Sequence, residues 1–193
     1  MAETMTNGMA KIAAQVILDS AREMFGTQPL RGGTNIREIK HVHDVSALLN
    51  GLEGTFGPPG AHGLAQRFGK TVFRNGLRQL GGQAGFRAMD YRMLPSPKRV
   101  EVGLAALADI VAGTVHEKIT VTDDGEHWVW RVEACRDCQP RLGAEPYCYA
   151  LVGLIQEFAS WASGGRFYRV AETECRASGA NACLFLIDKS PLD

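Results

Sequence analysis

Five cysteines, the residues with most chemical reach in this chain of 193, all lie between positions 135 and 183. Cys135 and Cys138 form a Cys-x-x-Cys pair, Cys148 follows, and Cys175 and Cys183 stand eight positions apart. An isolated cysteine is most often a small buried hydrophobe, but a cluster points to metal. Thiolates are soft ligands that suit zinc better than calcium or magnesium, and a tetrahedral Zn²⁺ takes four of them or a mixture with carboxylate. Cys175 ends one expected strand and Cys183 opens the next, with Ser178-Gly179-Ala180-Asn181 as the turn that brings both thiols to one point. Glu172 lies just upstream and reaches the same end. Two other readings stay open: redox chemistry at Cys135 and Cys138, and plain packing. The pair follows a strand without opening a helix, so no helix N-terminus is at hand to lower a thiol pKa.

Trp128, Trp130 and Val132 alternate along one strand and read as core or as pocket wall, since ligand pockets are themselves mostly apolar. His62, between Ala61 and Gly63, reads as a capping or solvated residue. His41 and His43 flank Val42 on one strand-like face, where a distant metal shell is the sharper and less favoured reading.

The elements that must position these residues follow from periodicity. Ala13, Ile17, Ala21 and Met24 predict a helix over Lys11 to Phe25, stopped by Gly26. A glycine-rich connector at Arg31-Gly32-Gly33 leads to a short helix on Val45, Leu48, Leu49 and Leu52, ending near Gly54. Gly57-Pro58-Pro59-Gly60 reads as a break. Leu64, Phe68, Val72, Leu77 and Leu80 predict an amphipathic helix from His62 to Leu80, closed by Gly81-Gly82. Ser96 as cap and Pro97 at the first helical position open a further helix on Val100, Leu104, Leu107 and Val111, closed by Gly113.

Lys118 to Thr122, the turn Asp123-Asp124-Gly125 and the Trp128 strand predict a hairpin. A helix from Tyr147 to Ala162 carries Leu151, Leu154, Ile155 and Phe158 on one side and stops at Gly164-Gly165. Strands at Phe167 to Glu174 and Cys183 to Asp188 finish the chain. Helices, hairpin, helix, hairpin is the order of an α+β domain with an antiparallel sheet. The expectation is a single domain over 1–193, with N-terminal helices at 11–115 and the hairpin, metal helix and final hairpin at 116–188.

Lys plus Arg equals Asp plus Glu at 21 each, with no basic cluster, which argues against a nucleic-acid or anionic-lipid surface. No apolar run reaches membrane-span length and the first ten residues lack a signal-peptide core, so the expected place is the cytoplasm, where thiols stay reduced. The chain carries no GxGxxG, Walker loop, GxSxG or HExxH, and so no support for a dinucleotide, phosphate or hydrolase site.

The segments Tyr147-Cys148-Tyr149-Ala150-Leu151-Val152-Gly153, Gly164-Gly165 and Val170 to Phe185, with Glu172-x-x-Cys175 and Cys183 beyond, resemble the 4-vinyl reductase domain family. Weaker similarity reaches back to Gly57-Pro58-Pro59-Gly60-Ala61. The family includes bacterial sensory modules for aromatic compounds and proteins linked to bacteriochlorophyll synthesis, and its α+β fold is shared with TRAPP vesicle-tethering subunits.

The resemblance implies zinc held by Cys148, Glu172, Cys175 and Cys183. The spacing from helix to glutamate is one residue longer here than in the sensors, which keeps Cys135 and Cys138 as alternates. It further implies an aromatic-ligand pocket using Trp128 or Trp130, with His116 the nearest match to the sensors' partner histidine, and a homodimer. The leading expectation is thus a non-catalytic domain that binds or senses a small hydrophobic or aromatic molecule, acting alone, as a carrier or through a partner. An enzyme or accessory protein of tetrapyrrole metabolism and a structural interaction subunit are the alternatives.

Overall fold

A computed structural model of the chain describes residues 2–26, 36–135, 138 and 146–192. The connector expected at Arg31-Gly32-Gly33 lies outside them. Helix α1 (Ala2–Phe25) begins earlier than its apolar stripe and ends at Gly26, whose positive φ of 65° suits glycine. After a short 3-10 turn (Ile36–Glu38) comes α2 (Val42–Leu80). Its start is fixed by Asp44, whose carboxylate accepts from the backbone N–H groups of Lys40 and His41, each at 2.8 Å.

The break expected at 57–60 is narrower than the sequence implied. Only Gly57 leaves helical geometry (φ 70°, ψ 166°), and the helix resumes at once with Pro58 and Pro59, tolerated there because a first turn needs no N–H partner. The first arm of α2 therefore runs past Gly54, and the second starts before His62.

Short α3 (Met89–Met93) leads to α4 (Ser96–Val115). Two expectations about α4 are corrected. Ser96 is the first helical residue, not the cap, and its hydroxyl donates to the Ser163 carbonyl at 3.4 Å. Gly113 lies inside the helix, which closes instead at His116 in the left-handed region (φ 55°). Val100 and Leu104 are fully buried, as their stripe requires.

The sheet contains β1 (Ile119–Asp123), β2 (His127–Val132), β3 (Val170–Glu174) and β4 (Cys183–Asp188), in the antiparallel order β1-β2-β4-β3. The β1–β2 turn forms as expected: Asp123 accepts from Gly125 N–H at 2.7 Å and Asp124 from His127 N–H at 2.6 Å. β3 is shorter than expected, because Phe167 pairs instead with Leu192 in an isolated bridge. Trp128, Trp130 and Val132 of β2 lie opposite Ile187, Phe185 and Cys183 of β4. All six are buried and define the inner face.

Helix α5 (Tyr149–Ala162) packs between that face and the helices, most extensively against α2. Two apolar cores result. One joins the sheet to α4 and α5 around Trp130, Phe158 and Phe185; the other joins α1 to α2 around Val16, Leu48 and Leu52. Buried Asn75 of α2 ties the second together, donating to Ser20 Oγ at 2.9 Å and Glu23 Oε2 at 2.8 Å on α1. The architecture is helix-rich α+β with a four-stranded antiparallel sheet. No helix among the described residues is long and apolar enough to cross a membrane.

Candidate functional site

At one end of the sheet β2 finishes, β3 finishes and β4 begins, so the inner face there collects side chains from three strands. Cys183 opens β4 on that face. β3 delivers two more groups through a bulge: its register with β4 shifts between Glu172 and Glu174, leaving Thr173 as the extra residue. An extra residue reverses strand parity. Glu172, on the inward side with Val170, is therefore followed inward by Cys175 rather than by exposed Glu174. That is the physical content of the Glu-x-x-Cys spacing. Cys148 arrives from the N-cap position of α5, and Cys135 and Cys138 from the segment after β2.

All five cysteines are buried and reduced. Cys135 and Cys148 sulfurs are 3.5 Å apart, Cys138 and Cys183 3.5 Å, Cys148 and Cys183 3.8 Å, and Cys175 and Cys183 3.9 Å. With zinc–sulfur bonds of about 2.3 Å, two thiolates on a tetrahedral ion stand about 3.8 Å apart. The spacing is one that could hold a metal ion.

Two quartets satisfy it, Cys148, Glu172, Cys175, Cys183 and Cys135, Cys138, Cys148, Cys183, with the ligand atoms of each within 4.8 Å of one another. The sequence expectation thus has its residues brought together, and so do both alternates. Glu172 Oε2 accepts from the Cys148 backbone N–H at 2.7 Å, while its buried Oε1 has no hydrogen-bond partner. A buried carboxylate oxygen left without a partner is costly, and a cation is the natural partner for one beside three thiols.

Charge in the cluster is strongly coupled. Hydrogen bonds from Cys135 above all, then Cys148 and Cys183, push the Cys138 thiol far down, while contact with Cys135 and Cys138 together with burial holds Cys148 well up. The Cys148 contact lowers Cys175 to about 6. Burial raises Glu172 to about 8, against the Cys148 N–H that lowers it. The backbone N–H of Arg176 donates to Cys183 Sγ at 3.4 Å, a further support for negative sulfur.

The aromatic residues expected in a pocket are placed differently. Trp128 and Trp130 are 3% and 0% exposed in the sheet core. Neither lines the two apolar pockets found among the helices. Trp130 Nε1 is buried without a hydrogen-bond partner.

One pocket, of about 100 Å³, lies between α1, α2 and α4 and includes Val16, Phe73, Gly76, Leu107 and Ile110. The other, also of about 100 Å³, adjoins it and extends past Val45 and Phe68 to Val132 and Cys135. They share Ile17, Val72, Val111, Val115 and Leu154 as walls. The sequence reading, which looked for a pocket between the Trp128 strand and the helices from His62 and Pro97, missed α1 as a wall, because a helical stripe reports which side is buried and not how completely the gap behind it is filled.

His116 lines a further pocket with His41 and His43, whose exposed rings stack at 5.2 Å, and that pocket shares Val42, Ser46, Val115 and Glu117 with the second apolar one. His62 lies inside α2 rather than at a cap and is partly exposed: its ring stacks on Tyr149 at 3.9 Å, with Glu53 at 3.6 Å.

Comparison with solved structures finds a similar fold in several domains. The phenol-responsive sensory domain of the transcription activator PoxR, in a structure with phenol, shares 20% identity over 88% of each chain, with a TM-score of 0.56. An H-NOX domain from Shewanella oneidensis in the Fe(II)CO ligation state shares 13% identity, covering 90% of this chain and 96% of its own, with a TM-score of 0.57. An H-NOX protein from K. algicida aligns over 94% of this chain and 96% of its own at 10% identity, with a TM-score of 0.53. Residues 128–189, from the Trp128 strand to the end of β4, match the model of the 4-vinyl reductase domain family, the same resemblance that the residues themselves carry. The comparison with curated proteins gives no match.

Proposed function

We propose that this chain is a small-molecule-binding or sensing domain. Its guest, an uncharged aromatic or other apolar molecule, sits in the adjoining pockets between α1, α2, α4 and α5. The observation that carries this reading is the pair of pockets of about 100 Å³ each, walled almost wholly by aliphatic and aromatic side chains. An apolar cavity of about 150 Å³ admits benzene, so one enlarged pocket or the two together suit a single ring better than a macrocycle. Burial of a single ring at about 25 cal/mol per Å² contributes roughly 6 kcal/mol before association costs, so its affinity is expected to be weaker than micromolar, which needs about 8 kcal/mol net. Likeness of fold to a phenol-responsive domain supports the same class of guest.

The thiolate cluster holds zinc as a structural ion. It ties the N-terminus of α5, through Cys148, to the ends of β2, β3 and β4, so metal binding energy becomes folding energy. We read 1–193 as one cytoplasmic domain acting as a homodimer, for which exposed Met89, Met93 and Val102 on α3 and α4 offer apolar surface.

The test is thermal shift and tryptophan fluorescence against phenols, small hydrocarbons, fatty acids and porphyrins. Trp161 serves as reporter because its ring lies 5.9 Å from Phe73 and 5.6 Å from Phe86, both pocket walls. A single-ring compound is expected to raise Tm, and Gly76→Leu to abolish the shift. A porphyrin response with none from single rings would favour the tetrapyrrole reading; no response at all would leave the interaction subunit.

A further inference from the structure

We propose that the cluster is a binuclear site holding two divalent zinc-class ions that share the thiolates of Cys148 and Cys183. The inference deepens the structural-metal reading and rests on it.

The two quartets overlap in Cys148 and Cys183 and in nothing else. Cys135 and Cys138 complete one, Glu172 and Cys175 the other. Two tetrahedra sharing an edge need six ligands, four terminal and two bridging, and the six donors present divide in that way. The shared edge, Cys148 to Cys183, measures 3.8 Å. Terminal sulfurs approach both of its ends: Cys135 lies 3.5 Å from Cys148, while Cys138 and Cys175 lie 3.5 and 3.9 Å from Cys183. A bridging thiolate uses two lone pairs, which the soft, polarisable sulfur allows and a carboxylate oxygen does less well. It is the carboxylate, Glu172, that stands at a terminal position.

Charge argues in the same direction. Five thiolates and one carboxylate gathered around a single dication leave a large uncompensated negative charge in a buried place. A second dication removes half of it. With one ion on the Glu172 side, Cys135 and Cys138 would have to stay as neutral thiols donating to zinc-bound sulfur. With two ions all six groups ionise and every donor is used. On metal uptake each thiol releases its proton to solvent and no electron moves, so the assembly needs no oxidant or reductant.

The experiment uses the whole chain, refolded or purified with excess zinc and then stripped of loosely held metal. Native mass spectrometry is expected to give two zinc ions per chain, and the Cys135→Ser/Cys138→Ser double variant one, with its fold retained by circular dichroism. Protein loaded with ¹¹³Cd is expected to give two cadmium resonances, each split by the other through the shared sulfurs. One zinc per chain, unchanged in the double variant, overturns the proposal and leaves the pair as thiol donors to a single ion. One zinc that the double variant loses also overturns it, in favour of a single four-thiolate site. Two unsplit cadmium resonances overturn the bridging. No bound metal under any of these conditions sinks the structural-zinc reading itself, an outcome distinct from the other three.

Discussion

Gly69 of α2 and Gly153 of α5 face each other's helices so closely that neither position has room for a Cβ. A methyl at Gly69 would fall on the Ala150 carbonyl and the Leu154 N–H, and one at Gly153 on the backbone of Gln66. The obstacle in both cases is main chain, which cannot rotate aside as a side chain does. Gly153→Ala and Gly69→Ala are therefore expected to reach or exceed the upper part of the usual overpacking cost of about 1–3 kcal/mol. Urea unfolding reads this directly. A midpoint unchanged in both variants would mean that the helices do not cross as described.

Asn75→Ala removes the donor to Ser20 and Glu23 and leaves their oxygens without it. Loss of about 1–3 kcal/mol is expected from such a buried polar pair. Asn75→Asp likewise loses the donor and sets a carboxylate against Glu23, but it keeps an acceptor for the Arg78 guanidinium that donates to Asn75 Oδ1, so it is expected to cost no more than Asn75→Ala. Ranking the two by thermal melting checks the assignment.

Cys183→Ser and Cys148→Ser are expected to be the most damaging changes in the cluster, since both quartets need those two sulfurs. Cys175→Ser should come next and Cys135→Ser should cost least. Metal content by elemental analysis, read beside Tm, tests the order. A Cys183→Ser protein that keeps its zinc and its melting temperature would show that the shell lies elsewhere.

How legible this was in the sequence differs from group to group. Cys175 and Cys183 were readable as partners because a turn between two short strands fixes their closeness within ten residues. Glu172 was readable only as nearby, since strict alternation would turn it and Cys175 to opposite faces, and the bulge at Thr173 that reunites them has no signature in residue type. Membership of Cys135 and Cys138 depends on a long connection to α5, whose path spacing does not dictate. The tryptophan strand was rightly read as one buried face, yet that face is covered by packed side chains while the open space lies among helices distant in sequence. The α4 stop was misplaced because Gly113 is the stronger composition signal, whereas the chain reverses at His116.

Trp130→Phe removes a buried indole N–H that lacks a partner. In the free protein the desolvation penalty that disappears offsets part of the lost packing, so a cost below about 2 kcal/mol is expected. Trp130 lines neither apolar pocket, so phenol and toluene are expected to bind Trp130→Phe as they bind the native protein. A loss of affinity for phenol with none for toluene would instead bring the indole to the guest.

Tyr91 donates its hydroxyl to the Arg99 carbonyl at 2.9 Å, and burial raises its pKa from 10.0 to about 12. Because the folded form holds this proton where the unfolded chain has lost it, the stability it contributes is complete below pH 10 and is lost between about 10 and 12. Cysteine ionisation also weakens the fold in alkali, so the informative quantity is the difference between the native protein and Tyr91→Phe. That difference should narrow steadily across the window. A constant difference would mean that Tyr91 titrates alike in both states.

Cys135 belongs at once to the thiolate quartet and to the wall of the second apolar pocket. One atom's position thus enters the energy of two occupancies, and thermodynamic linkage makes any such influence reciprocal. If a guest tightens the hold on the metal by some factor, metal must tighten the hold on the guest by the same factor. Zinc bound at that quartet would then be more than a rivet: its occupancy and that of the pocket would each be read through the other.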